Sequence, residues 1–379
     1  MRKKKIMVVF GTRPEAIKMA PLIHLLKKDK RFNLSVCVTA QHREMLDQVM
    51  KTFNIKPNID LNIMTPNQDL SDITSSILLK LRPIFKKLSP DIILIHGDTS
   101  TTLATALACF YNQIKVGHVE AGLRTHDLKS PYPEEFNRQI VTKISNLHFA
   151  PTKLNQLNLI KEGSEKSSIY VTGNTVIDSL DWILEKINKN KNLHKYLINK
   201  INNLLNFDWQ SRKYILITCH RRENFGKGIQ NVCYAIDKLA EKYDDINFVF
   251  PVHLNPKILK NVNKKLIKKK NIHLIKPQRY EIFVYLLKFS YLVLTDSGGL
   301  QEEAPHLGKP VLVMRESTER PEGIKSGTVK LVNTNKFKII SETSKLINDK
   351  KYYKKMANLI NPYGDGKASV RIIKLLTKI

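Results

Sequence analysis

Short, continuously apolar runs alternate with stretches of helical periodicity along almost the whole chain, and this alternation restricts the fold more than any other feature. Ile6–Phe10, Leu34–Thr39, Ile92–Ile95, Lys115–Val119, Leu147–Ala150 and Ile169–Val171 read as strands in the first half. Tyr214–Thr218, Ile246–Pro251, Ile272–Ile275, Tyr291–Thr295 and Pro310–Met314 do so in the second. Runs this short, without polar alternation, are strands covered on both faces, and most intervals between them are long enough for a helix. The pattern predicts an α/β protein of two Rossmann-like, doubly wound parallel sheets. Residues 174–213, polar and rich in Asn and Lys around Trp182 and Trp209, break the rhythm and mark a change of domain. Open parallel sheets bind ligands beyond the carboxyl ends of their strands, so a cleft between the halves is the expected active site.

With 379 residues and 42% hydrophobic content, the chain is long enough for two such domains. No apolar run approaches the roughly 20 residues of a membrane span. Arg2-Lys3-Lys4-Lys5 precedes only a short apolar run before Gly11-Thr-Arg-Pro14, which is not a signal-peptide pattern, so the cytoplasm is expected. Cys37, Cys109, Cys219 and Cys233 form no CxxC pair and are expected to be buried free thiols. The net charge of +29 raises the question of nucleic acid. The excess is mostly lysine scattered among Asn and Ile, as in 186–202 and 257–276, with no basic stripe interleaved with aromatics. No nucleic-acid partner is therefore expected, although a positive field helps to collect anionic substrates.

Chemistry-bearing residues gather where strands are expected to end. Thr295-Asp-Ser-Gly-Gly299 follows an apolar run and opens a helical pattern carrying Glu302 and Glu303. Ser297, Gly298 and Gly299 let a phosphate approach the backbone at a helix start, and Glu303 one turn on can reach ribose hydroxyls. The alternative is a Gly-Gly turn with helix-capping acids. In Gly11-Thr-Arg-Pro-Glu-Ala-Ile-Lys18, Arg13 and Lys18 are either phosphate contacts or solvated bases of a capped helix. Asp98 in His96-Gly-Asp-Thr99 is either an acid/base group or the cap of the helix beginning near Thr99. Glu120 is either an acid/base group or the structural partner of Arg124.

The loop Ser130-Pro-Tyr-Pro133 leads into a helical pattern that places Glu134 and Arg138 four apart on one face. His220, with Arg221 and Arg222, suits an anion or is a satisfied structural histidine. Gln278 and Phe283 are candidates to hold a base, Phe283 being otherwise core. Arg320 is a ribose or phosphate candidate or a residue of a solvated loop. No Walker loop, GxGxxG, HExxH, CxxC pair or Asp-X-Asp occurs, and His118-Val-Glu120 lacks the downstream cysteine pair of a zinc deaminase. Neither a metal nor a redox cofactor is indicated.

Taken together, these strings resemble the non-hydrolysing UDP-N-acetylglucosamine 2-epimerases over nearly the whole chain. Phe10–Pro21, Thr39–Gln48, His96–Thr99, Gly117–Arg124, Gly173–Asp178, His220–Glu223, Pro251–Pro256, Thr295–Leu312 and Asn361–Gly366 carry the resemblance. It implies a GT-B-like pair of Rossmann domains facing a central cleft. The first would span residues 1–173, completed by a C-terminal helix in 362–379, and the second 174–361. It further implies interconversion of UDP-GlcNAc and UDP-ManNAc without a cofactor, a homodimer, no membrane partner, and supply of ManNAc units for surface polysaccharide. Asp98, Glu120, Glu134, Arg138 and His220 resemble the family's catalytic set. Arg13, Lys18, Gln278, Phe283, Ser297, Gly298, Gly299, Glu303 and Arg320 resemble its nucleotide-sugar contacts. Gln41, Glu44 and His253 fall in strings that bind an activating second substrate molecule in some members.

The residue types suit elimination of UDP from C1 as the C2 proton leaves, giving 2-acetamidoglucal, followed by re-addition with protonation from the opposite face. A hydrolysing epimerase that releases free ManNAc and UDP would use similar sites, as would the UDP half of a GT-B glycosyltransferase. Product analysis separates the first alternative and dependence on an acceptor the second.

Overall fold

A computed structural model describes residues 2–378 except His42, Arg222, Glu223 and Lys268, and the side chain of Lys257. The chain forms two compact units, one comprising the residues up to Trp182 together with those from Tyr363 onward, the other Ile183–Pro362. In the first, β1 (Lys4–Phe10), β2 (Phe32–Val38), β3 (Ile59–Asp60), β4 (Ile92–His96), β5 (Lys115–Val119), β6 (Leu147–Ala150) and β7 (Ile169–Val171) form one sheet in the order β3-β2-β1-β4-β5-β6-β7. In the second, β8 (Tyr214–Thr218), β9 (Asn247–Pro251), β10 (Ile272–Ile275), β11 (Leu292–Thr295), β12 (Val311–Val313) and β13 (Val329–Leu331) follow the order β10-β9-β8-β11-β12-β13. Neighbouring strands pair in parallel throughout, for example Ile6 with Ile92 and Thr295 with Thr218.

Parallel pairing requires crossovers, and the helical intervals supply them, which is why a central strand such as β4 is buried along its whole length. Met7, Val9, Ile93 and Ile95 pack with Ile77, Leu81 and Phe85 in the first unit. Ile215, Phe248, Leu292 and Leu312 pack with Ile236, Leu239 and Ile339 in the second. The strand order reverses direction between β1 and β4, and again between β8 and β11. These are the switch points beyond which doubly wound sheets hold ligands.

The edge strands β3 and β13 have no counterpart in the sequence reading. A charged residue stands in each, Asp60 in the first and Lys330 in the second, so neither produces an apolar run. The 174–213 break is a pair of helices, Thr175–Lys189 and Lys191–Leu204, and the units divide inside the first of them rather than at 173. Its first half is tied to the N-terminal unit. The Asn174 N–H donates to Tyr363 O at 2.7 Å, and Asp178 accepts the N–H groups of Ala368 and Ser369 at the start of helix Ala368–Leu376. Trp182 stacks on His24 with ring centres 5.2 Å apart and packs against Phe53. Trp209 lies in the second unit, edge-on to Phe289, with its indole N–H donated to Asn202.

All four cysteines are buried free thiols, and burial pushes Cys37 and Cys233 up to about 12. No helix among the described residues is long and apolar enough to cross a membrane.

Candidate active site

β1 ends at Phe10 and the chain turns at Gly11. A Cβ there would lie 2.0 Å from Thr39 Oγ1 and 2.3 Å from Thr101 Oγ1, so only glycine lets the end of β1 approach the neighbouring loops so closely. Glu15, in the first turn of helix Arg13–Lys28, is buried and reaches back to the N–H groups of Gly11 and Thr12 while accepting the hydroxyls of Thr99 and Thr102. One carboxylate thus ties the carboxyl ends of β1 and β4 together. Burial raises its pKa in spite of these donors. Sequence reasoning gave Glu15 no role, because its partners Thr99 and Thr102, beyond β4, lie far along the chain.

Lys18, on the next turn, does not offer its ammonium to solvent. It is buried and ion-paired with Glu120, which follows β5. That contact sets Lys18 beside the carboxylates that follow the strands of the first unit. Glu120 is itself held at φ +66, a left-handed conformation that costs a residue with a Cβ on the order of 1–3 kcal/mol and persists where surrounding contacts over-determine it. Its Oε2 also accepts Asn174 Nδ2 at 2.6 Å and lies 3.8 Å from His96 Nε2. Burial depresses His96 to about 4, so at neutral pH it presents a dipole and not a second cation. Arg124, the structural partner considered for Glu120, instead makes a two-pronged ion pair with Glu162 at 2.7 and 2.6 Å.

Asp98, beyond β4, accepts Arg138 Nε at 3.0 Å and Nη2 at 2.7 Å, with about a quarter of its side chain open to solvent. It does not cap the following helix. Thr99 does so, accepting the N–H of Thr102. Arg138 is completed by Glu135 at 3.0 Å, not by Glu134, and Glu135 is fully buried. Burial raises the Glu135 pKa, but the N–H groups of Thr125 and His126 and the Arg138 guanidinium outweigh it and hold the group ionised. Glu134, half-buried at the start of helix Glu134–Ile144, keeps Oε2 without a hydrogen-bond partner. Arg13 is half-buried at the first position of its helix.

In the second unit the ends of β8 and β11 meet at the other switch point. Asp296, fully buried, takes the backbone N–H groups of His220 and Arg221 and lies 3.1 Å from His220 Nδ1. Arg222, part of the same string, lies outside the described residues. Next to Asp296, the Ser297-Gly298-Gly299 turn opens helix Leu300–His306. Glu303 accepts the Tyr280 hydroxyl at 2.6 Å, and fully buried Glu302 takes Arg320 Nε. Arg320 is therefore not a residue of a solvated loop. It is buried between Glu302 and Glu319, and Glu319 also binds Arg315 at 2.9 Å. Gln278 donates its amide to Lys276 O, while Phe283, on helix Tyr280–Phe289, is half-buried.

A Cβ on Gly298 would lie 2.6 Å from Arg320 Nη1 and 3.0 Å from its Cζ. The glycine is thus required by the arginine packed over it. Gly298→Val is expected to abolish measurable UDP binding in calorimetry. Glu303→Ala should weaken it by about 1–3 kcal/mol, the scale of a lost hydrogen bond to a charged group. Unchanged UDP affinity in both folded variants would show that this turn does not hold the nucleotide.

Gln41 accepts the Thr101 hydroxyl at 3.1 Å and Glu44 is exposed in the first turn of helix Arg43–Thr52, both in the first unit. His253, exposed in the second, stacks on the His220 ring with centres 6.1 Å apart. Partial burial, and then the neighbouring His220, lower its pKa. No cluster of three or more His, Cys, Asp or Glu with metal-binding geometry occurs among the described residues.

Two doubly wound sheets, one ending in cation-paired carboxylates and the other in a histidine and a glycine turn, define a Rossmann-like α/β protein of the kind found in GT-B-like folds. The pattern of the UDP-N-acetylglucosamine 2-epimerase family matches residues 24–377. The chain is 52% identical over 375 residues to the UDP-N-acetylglucosamine 2-epimerase of Campylobacter jejuni, covering 99% of this chain and 98% of that protein. It is 52% identical over 374 residues to that of Escherichia coli K12, covering 98% of each. The crystal structure of the UDP-GlcNAc 2-epimerase of Neisseria meningitidis bound to UDP-GlcNAc is similar with a TM-score of 0.93 at 51% identity, covering 99% of this chain and all of that one. The chain belongs to the UDP-N-acetylglucosamine 2-epimerase family.

Proposed function

We propose that this protein is a non-hydrolysing isomerase that interconverts UDP-GlcNAc and UDP-ManNAc by eliminating and re-adding UDP. The observation that carries the reading is the pair Asp98 and Glu120, set at the carboxyl ends of adjacent strands of one sheet, each held by its own cation. The C2 hydrogen of GlcNAc is not next to a carbonyl, so its removal alone would leave a poorly stabilised carbanion. A carboxylate takes the C2 proton while the C1–O bond breaks, the electron pair leaves on the UDP oxygen, and the C1–C2 double bond of 2-acetamidoglucal forms. The oxygen then returns to C1 and a second acid protonates C2 from the opposite face. Asp98 and Glu120 are the leading acid/base groups and Glu134 a third. The second unit holds UDP through the Ser297-Gly298-Gly299 turn and Glu303, with His220 and Arg138 on the diphosphate and leaving oxygen. Exclusion of water from the bound glucal keeps it from being lost. A homodimer and the supply of ManNAc units for surface polysaccharide rest on the family resemblance.

In D₂O the UDP-ManNAc formed from UDP-GlcNAc alone is expected to carry deuterium at C2, followed by NMR. Traces of UDP and 2-acetamidoglucal should accumulate on long incubation, and neither EDTA nor a nicotinamide cofactor should change the rate. Full retention of the C2 hydrogen with a requirement for NAD would show transient oxidation instead. Free ManNAc as the product would show hydrolysis.

A further inference from the structure

We infer that Asp296 is a positioning residue of this reaction, its carboxylate fixing the tautomer and direction of the His220 ring so that Nε2 is the nitrogen offered to the diphosphate. The inference rests on the role proposed for His220 and adds a residue to it. Asp296 sits immediately beyond β11, where that strand meets β8 at the switch point, and is fully buried. Its Oδ2 accepts three donors, the N–H groups of His220 and Arg221 at 2.8 Å each and Asn224 Nδ2 at 3.0 Å. Three donors on one oxygen prevent rotation of the carboxylate, and Oδ1, buried and taken up by no hydrogen bond among the described residues, is thereby left 3.1 Å from Nδ1 of the ring. Burial alone raises the Asp296 pKa, but the neighbouring His220 ring and the two backbone N–H groups outweigh it and hold the carboxyl below its usual range.

An anionic oxygen beside Nδ1 keeps the ring proton on that nitrogen and leaves Nε2 as the one that gains and lends a proton. The charge that develops on the ring when Nε2 is protonated is then met by Asp296. The side-chain exposures fit this division, 39% for His220 and none for Asp296. His253, stacked on the other ring and shifted towards its neutral form, leaves Asp296 as the carboxylate that orients His220 among the described residues. The same arrangement of buried carboxylate, imidazole and outward nitrogen serves acyl-transfer triads, where the carboxylate orients the ring and does not itself become protonated.

The test reads the proton directly. In protein labelled with ¹⁵N-histidine, the signals lost in His220→Gln identify His220. At a pH where that ring is neutral they should show a protonated Nδ1 and a bare Nε2, with Nε2 shifting most on addition of UDP. In Asp296→Asn, whose amide can donate to Nδ1, the tautomer should reverse. The same variant should lose kcat by about 10²–10⁴-fold while KM stays within about 3-fold. A bare Nδ1 in the wild-type protein, or an Asp296→Asn enzyme with kcat within about 3-fold of wild type, would overturn the inference. If Asp296→Asn does not fold, the wild-type spectrum decides alone. It does so even if the protein fails to epimerise UDP-GlcNAc, so failure of the functional reading and failure of this one are told apart.

Discussion

Glu120→Gln and Asp98→Asn are each expected to lower kcat by roughly 10²-fold or more, the scale of a general acid or base, while UDP affinity stays within a few-fold. The two differ in what surrounds the lost charge. Glu120 is buried against Lys18 and Asn174, so its amide leaves a buried ammonium without its counter-charge, and some loss of thermal stability should accompany the loss of rate. Asp98 is partly open to solvent, and Arg138 retains Glu135, so Asp98→Asn should unfold close to the wild-type temperature. Single-turnover kinetics with UDP-GlcNAc and UDP titration by calorimetry read the two quantities separately. Turnover near the wild-type value in either folded variant would remove that carboxylate from proton transfer.

Arg320→Met is expected to cost the second unit roughly 3–5 kcal/mol, because it leaves Glu302 and Glu319 as buried charges with a partner removed. For a unit of this size that corresponds to a fall of about 10 °C in its thermal transition, readable by scanning calorimetry. Arg315 remains on Glu319, so the larger part of the cost falls on Glu302. Replacing Glu302 by Leu in the same protein should therefore recover much of the loss, since an apolar pair leaves no buried charge behind. A transition within about 2 °C of wild type in Arg320→Met would show that the ion pairs contribute little and return Arg320 to a purely ligand-binding role.

Much of the fold was legible because its cause is local. A buried parallel strand must be apolar along its length, and Ile92–His96 or Tyr214–Thr218 can be recognised without knowing their neighbours. The edge strands Ile59–Asp60 and Val329–Leu331 carry no such run and were invisible. At the site, residue types were legible but partners were not. Arg138 looked matched to Glu134 by helical spacing, yet the side chain turns to Glu135 and across the sheet to Asp98. Nothing near Lys18 in sequence shows that Glu120, 102 positions away, lies beside its ammonium. Asp296, quoted within the glycine-turn string, had no assigned role because the ring it faces is 76 positions earlier.

What the sequence determined by itself is the set of buried strands, their parallel pairing and the collection of acids, bases and glycines at strand ends. Apolar periodicity and turn chemistry act over a few residues and need no tertiary context to be read. Which carboxylate meets which cation was decided only by the tertiary structure. Those pairings form where the ends of β1, β4 and β5, and of β8 and β11, come together, and strand order is set by long-range packing that no local pattern encodes.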